Sequence, residues 1–136
     1  GKYLFVTGVY QADLDAAYEE YQSDLENNLL KVARKRRSDV VSEQCFALIE
    51  STYPIFKQQF FQALFTEAVA LSLTNRILYI RELLDWCKSI VEYANSVDSE
   101  LENMNIEEIN NFQPDFSPFE ESNPEVTING ALAIED

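Results

Sequence analysis

Histidine is absent from the chain, and with it go the commonest general base, the Ser–His and Cys–His nucleophile pairs and most zinc sites. Glycine occurs three times and proline four, too few for a turn-rich sandwich or barrel. The two cysteines, Cys45 and Cys87, each sit inside an apolar helical pattern. They read as buried thiols in a reducing compartment, which implies an intracellular, cytoplasmic address. No apolar run reaches the ~20 residues a bilayer demands. The longest, FFQALFTEAVALSL, is interrupted by Gln62 and Glu67, so no membrane span is expected. The opening GKYLFVTGVY also lacks the h-region and cleavage site of a signal peptide.

Positive charge is missing from residues 98–136, which hold 11 acids and no base. Residues 1–97 hold the other 13 acids and all 10 bases, so the chain divides into two electrostatic regimes. The total of −14 opposes direct contact with nucleic acid or anionic lipid. It favours a protein partner with a basic or apolar groove.

What is present is helical periodicity, with 46% apolar residues over 136, enough for one domain with a real core. Residues 1–10 form an apolar lead-in that reads equally as a short strand or as packing for the first helix. From Asp13 onward, Leu14, Tyr18, Tyr21, Leu25, Asn28 or Leu29, and Val32 recur at intervals of three and four on one helix face. Acids crowd the start of this stretch and bases its end, which complements the helix dipole and predicts a helix over about residues 11–37. Ser38-Asp39 offers an N-cap for a second helix to residue 51, and Pro54 then breaks the chain and opens a third. That third helix is apolar almost all round from Phe60, which marks it as the central element. A break at Thr74-Asn75 leads into a fourth, over about 76–97, with a wide apolar face. Residues 98–136 bring three prolines and scattered acids, and predict a mobile or partner-ordered tail, with a short strand in the terminal VTINGALAI. The expected fold is all-α, an antiparallel bundle of three to four helices over 11–97 carrying that tail.

Few residues stand out as chemistry. Asp15/Glu19 and Glu20/Asp24 have di-iron spacing but no histidine to complete such a site, and DSELENMNIEE lacks the sharp-turn glycine of an EF-hand. There is no Walker loop, GxGxxG or GxSxG. No metal, no cofactor and no enzymatic activity are expected. Lys31, Arg34, Lys35, Arg36 and Arg37 hold half of the positive charge within seven residues. They serve as helix-end charge complementation, as a dock for the acidic tail, or as an anion or acidic-partner contact. Phe112, Asp115, Phe116, Phe119, Glu120 and Glu121 set exposed aromatics among acids and prolines, a pattern suited to apolar pockets with a basic rim. The alternative is that these aromatics pin the tail to the bundle. Tyr18, Tyr21, Trp86 and Tyr93 read as an exposed aromatic patch or as half-buried core, and leftover apolar surface would suit homodimerisation through a helix face.

The leading functional expectation is a non-enzymatic interaction protein, an adaptor or regulatory subunit, with the tail motif engaging its partner. The runner-up is an acidic inhibitor of the immunity or nucleic-acid-mimicking type that blocks a basic site.

Overall fold

A computed structural model describes residues 7–135, all helix and connecting loop. Three long helices, α1 (Thr7–Thr52), α2 (Ile55–Ala70) and α3 (Thr74–Leu101), are followed by three short ones, α4 (Ile106–Asn111), α5 (Ser117–Glu121) and α6 (Ile128–Ala133). The protein is an all-α helical bundle. The apolar lead-in at 1–6 lies outside the described residues, and 7–10 are helical.

The expected break at Ser38-Asp39 does not occur. Between Gly8 and Pro54 the chain has neither glycine nor proline, so nothing forces α1 to end. Asp39 caps nothing; its carboxylate meets Lys35 Nζ one turn back at 3.2 Å. α1 therefore runs for 46 residues, about 69 Å at ~1.5 Å per residue. It stops where expected. Tyr53 donates its N–H to the Ile49 carbonyl at 2.7 Å, and Pro54, at φ −54° and ψ 154°, starts α2. Gln58 Nε2 donates to the Tyr53 carbonyl at 2.6 Å and fastens that corner.

The α2–α3 break comes just ahead of the expected Thr74-Asn75: Thr74 already opens α3, and no side chain caps that helix. Ser72 takes the left-handed conformation, φ 57°, and the Leu73 N–H donates back to Ala68 O at 2.8 Å. The Glu67 and Arg76 side chains face each other across the turn at 4.0 Å.

The central helix is α3, not α2. α3 buries Ile80, Leu83, Trp86, Ile90, Ala94, Val97 and Leu101, a run at intervals of three and four that contacts both other long helices and α6. α2 buries Phe61, Leu64 and Ala68 and leaves Ile55, Phe56, Phe60 and Val69 exposed. Its all-round apolar composition thus reflects an uncovered outer face rather than a central position. From α1, Val41, Cys45 and Ile49 complete the core at four-residue spacing.

The tail is folded onto the bundle. Ile109, Val126 and Ala131 are buried, and Met104, Phe112, Phe116, Phe119 and Ile128 pack against the same core. Asn105 and Glu108 cap α4 reciprocally, each side chain bonded to the other's backbone N–H. Thr127 Oγ1 accepts from the Gly130 N–H at 2.9 Å and starts α6, a helix where a strand was expected. Gly130 is required there, because a methyl group would collide with the Tyr79 hydroxyl and Thr127 Oγ1. The mobile-tail expectation fails for a physical reason. Prolines forbid long regular elements, but the apolar residues between them still gain from burial.

No helix among the described residues is long and apolar enough to cross a membrane.

Candidate functional site

The basic cluster lies in mid-helix, because α1 continues past Arg37; helix-end complementation is therefore not its role. Two of its members hold the tail. Arg34 Nε donates to the Leu101 carbonyl at 3.1 Å, and its Nη2 to the Glu102 carbonyl at 2.8 Å. Arg37 Nη2 donates to the Asn110 carbonyl at 2.7 Å. These acceptors stand at the C-terminal ends of α3 and α4, where the carbonyls carry the negative end of the helix dipole. The tail does meet the cluster, through its helix ends rather than its carboxylates. Lys35 pairs with Asp39, and Lys31 and Arg36 are exposed.

The tail motif divides by residue type. Its aromatics turn inward. Phe116 stands edge-on to Tyr93 with ring centroids 5.2 Å apart, Phe119 lies 5.4 Å from Tyr93, and Phe112 is half-buried against the core. Trp86 Nε1 donates to the Phe119 carbonyl at 2.9 Å, and Tyr93 Oη accepts from the Asp115 N–H at 3.0 Å. Asp115, Glu120 and Glu121 stay exposed. The Ser117 hydroxyl and N–H both donate to Asp115 Oδ1, at 2.5 and 3.0 Å, and hold that carboxyl below its usual range.

Further along, Tyr53 Oη donates to Asn123 Oδ1 at 3.2 Å and accepts from the buried Val126 N–H at 3.0 Å. Burial pushes this phenol up. Tyr53 also meets Phe61 and Trp86 edge-on, at 5.9 and 5.8 Å. Beside it opens a cleft of about 500 Å³ with Thr52, Lys57, Glu125 and Thr127 on its walls. A second groove, of about 480 Å³, is apolar, lined by Phe46, Ile49, Ile55, Cys87 and Val91. Among the described residues no three or more Cys, Asp or Glu side chains are placed to hold a metal ion.

The helix face that the sequence periodicity picks out from Leu14 onward is an exposed apolar stripe. Residues 12–29 of α1 are exposed apart from half-buried Gln22. Leu14, Tyr18 and Tyr21 are more than 60% exposed, and Leu25, Leu29 and Val32 follow on the same face at 39–51%. The residues of α1 that do meet the bundle, Leu30, Ala33, Arg34, Arg37 and Val41, lie on the opposite side at ~100° per residue. Tyr18 and Tyr21 are consequently remote from Trp86 and Tyr93, and the four do not form one patch. At its bundle end the stripe runs into a groove of about 380 Å³ between α1 and α4, where Leu29, Val32, Val40 and Ile106 meet Arg36 and Arg37. The signal was in the sequence. The face narrows to a 3–4 seam there, flanked by charge, which is the pattern of a helix paired with another helix rather than laid on a broad core.

No family model, curated protein or solved structure matches this chain.

Proposed function

We propose that the protein is a non-enzymatic protein–protein interaction module in which a bundle, closed by its own acidic tail, holds out one helix as the docking arm. The observation that carries this reading is the exposed seam of Leu14, Tyr18, Tyr21, Leu25, Leu29 and Val32 on α1. A contiguous apolar stripe on a projecting helix costs solubility unless a partner covers it. The tail aromatics contribute by fixing the bundle, and partner contact at residues 112–121 falls to Asp115, Glu120 and Glu121. Free thiols at Cys45 and Cys87 support a reducing, intracellular setting. The test compares affinity capture by the full chain with capture by Tyr21→Glu and Leu25→Glu variants. A specific partner lost with the seam supports the reading; an identical partner set on all three proteins refutes it.

A second reading, inhibition of a basic site by charge, rests on the acids that remain outward once the aromatics have turned in. It predicts binding that weakens steeply with salt, whereas seam docking weakens little.

A further inference from the structure

We infer that Ser117 is a phosphorylation site, and that a phosphate on its hydroxyl unlatches the acidic tail from the bundle. The inference concerns the tail alone and does not depend on what the α1 seam binds.

Sequence and exposure single the residue out. Ser117-Pro118 is the one step in the chain where serine or threonine precedes proline; the other three prolines follow Tyr53, Gln113 and Asn123. A proline directly after the target hydroxyl is what one class of protein kinases reads. Ser117 is exposed, and it stands between the half-buried anchors Phe116 and Phe119. When the segment leaves the bundle, Pro118 biases Ser117 toward the extended backbone that an active-site cleft admits. In the transfer, the bond from the γ-phosphorus of ATP to its bridging oxygen breaks and a bond from Ser117 Oγ to that phosphorus forms. The hydroxyl proton passes to the base of the kinase, and ADP leaves.

The surroundings decide the sign of the effect. A phosphate adds about −1.5 to −2 charges at neutral pH, and it orders a segment only where donors or cations meet it. The start of α5 has no donor to give. The Ser117 N–H is taken by Asp115 Oδ1, the Phe119 and Glu120 N–H groups donate to the Phe116 carbonyl at 3.0 and 3.2 Å, and Pro118 has none. Cations are missing as well. The cleft beside Ser117, about 560 Å³, has Gln44, Ala47, Leu48 and Ser51 on its α1 wall and Asp115 and Glu120 on its tail wall, with no lysine or arginine. Residues 98–136 contain no base of their own.

Phosphorylation also removes a bond. The Ser117 hydroxyl donates to Asp115 Oδ1 at 2.5 Å, and the modified oxygen has no proton to donate. A dianion then lies against a carboxylate that its former partner had held ionised. The turn that opens is the one that seats Phe116 and Phe119 on Tyr93 and brings the Phe119 carbonyl to Trp86. Charge repulsion at Ser117 is thereby converted into release of the latch, which bares both core aromatics.

The experiment uses the full chain, a purified proline-directed protein kinase and magnesium ATP. Peptide mass spectrometry should place a phosphate on Ser117. Hydrogen exchange in residues 112–122 should then be about 10-fold faster than in the unmodified protein, with α3 unchanged. Ser117→Ala, which loses the bond to Asp115 and gains no charge, should raise it by about 3-fold or less. The excess over alanine should shrink as salt rises. Trp86→Phe enlarges the undocked fraction that the kinase admits, and should raise kcat/KM for the transfer by about 5-fold or more. Failure to find phosphate on Ser117 in both the unsubstituted chain and Trp86→Phe overturns the proposal. So does a kcat/KM that Trp86→Phe leaves unchanged, and so does a phosphorylated tail that exchanges no faster than that of Ser117→Ala.

Discussion

Trp86 on the central helix donates its indole N–H to the carbonyl of Phe119, 2.9 Å away, and so joins the buried core to the acidic tail. The same ring stands edge-on to Tyr53, whose hydroxyl holds Asn123 and Val126. Two aromatic side chains of the long-helix core thus carry polar tips that reach the tail backbone. Trp86→Phe removes one tip and leaves the Phe119 carbonyl without its donor. The expected cost is about 1–3 kcal/mol of stability. Hydrogen exchange should rise in residues 116–122 well before it rises in α3.

The assignment of α3 as the centre has a direct check. Ile90 is fully buried, whereas Phe60 on α2 is about half exposed. Ile90→Ala should lower the unfolding free energy by about 2–5 kcal/mol, and Phe60→Ala by under about 1 kcal/mol. Comparable losses in urea denaturation would mean that α2 shares the centre.

Arg34 and Arg37 are expected to matter for stability, and Arg36 is not. Arg34→Met removes two hydrogen bonds to the α3 terminus and should cost about 1–3 kcal/mol, with faster exchange at residues 102–111. Arg36→Met, at an exposed position, should stay within about 0.5 kcal/mol. Equal effects from the two would show that the cluster acts through net charge alone.

Alkaline pH should loosen the core. Burial raises the Cys87 thiol from near 9 to about 11, with a smaller contribution from Cys45 nearby, and burial raises Cys45 and Tyr53 as well. Each folded-state value lies above its unfolded one, so these groups favour the fold fully below about pH 9. For Cys87 that contribution is lost as pH rises toward 11, and the Cys45 and Tyr53 contributions are lost in the same direction. Urea midpoints should therefore fall between about pH 9 and 11, and Cys87→Ala should flatten that slope. Alkylation of Cys87 at pH 7.5 should be slow, because little thiolate is present.

How much of this was legible beforehand follows from what each signal measures. Proline chemistry is local, so the stop at Pro54 was readable from the residues themselves; the α2–α3 break was placed slightly late, at Thr74-Asn75, because the turn is made by Ser72 in the left-handed region rather than by a Thr74 cap. Ser38-Asp39 misled because a capping residue is optional, and no glycine or proline stands near it to interrupt α1. Periodicity showed that Leu14, Tyr18 and Tyr21 share a face, but it carries no information on what covers the face. The tail was misjudged because its anchors, Ile109, Phe112, Phe116, Phe119, Val126 and Ala131, sit in elements too short to show a period. Their partners lie up to 73 residues away, as Tyr53 and Val126 do, and no sequence window reports that.

Core residues Val126 and Ala131 come late in the order of synthesis. A nascent chain that has reached Leu101 holds the residues of all three long helices yet still lacks Ile109, Val126 and Ala131, and the Glu102 and Asn110 carbonyls that Arg34 and Arg37 hold are not yet made. At ~5–20 residues per second, adding residues 102–131 takes roughly 2–6 s. Throughout that interval the translating protein exposes both its unfinished core and the α1 seam.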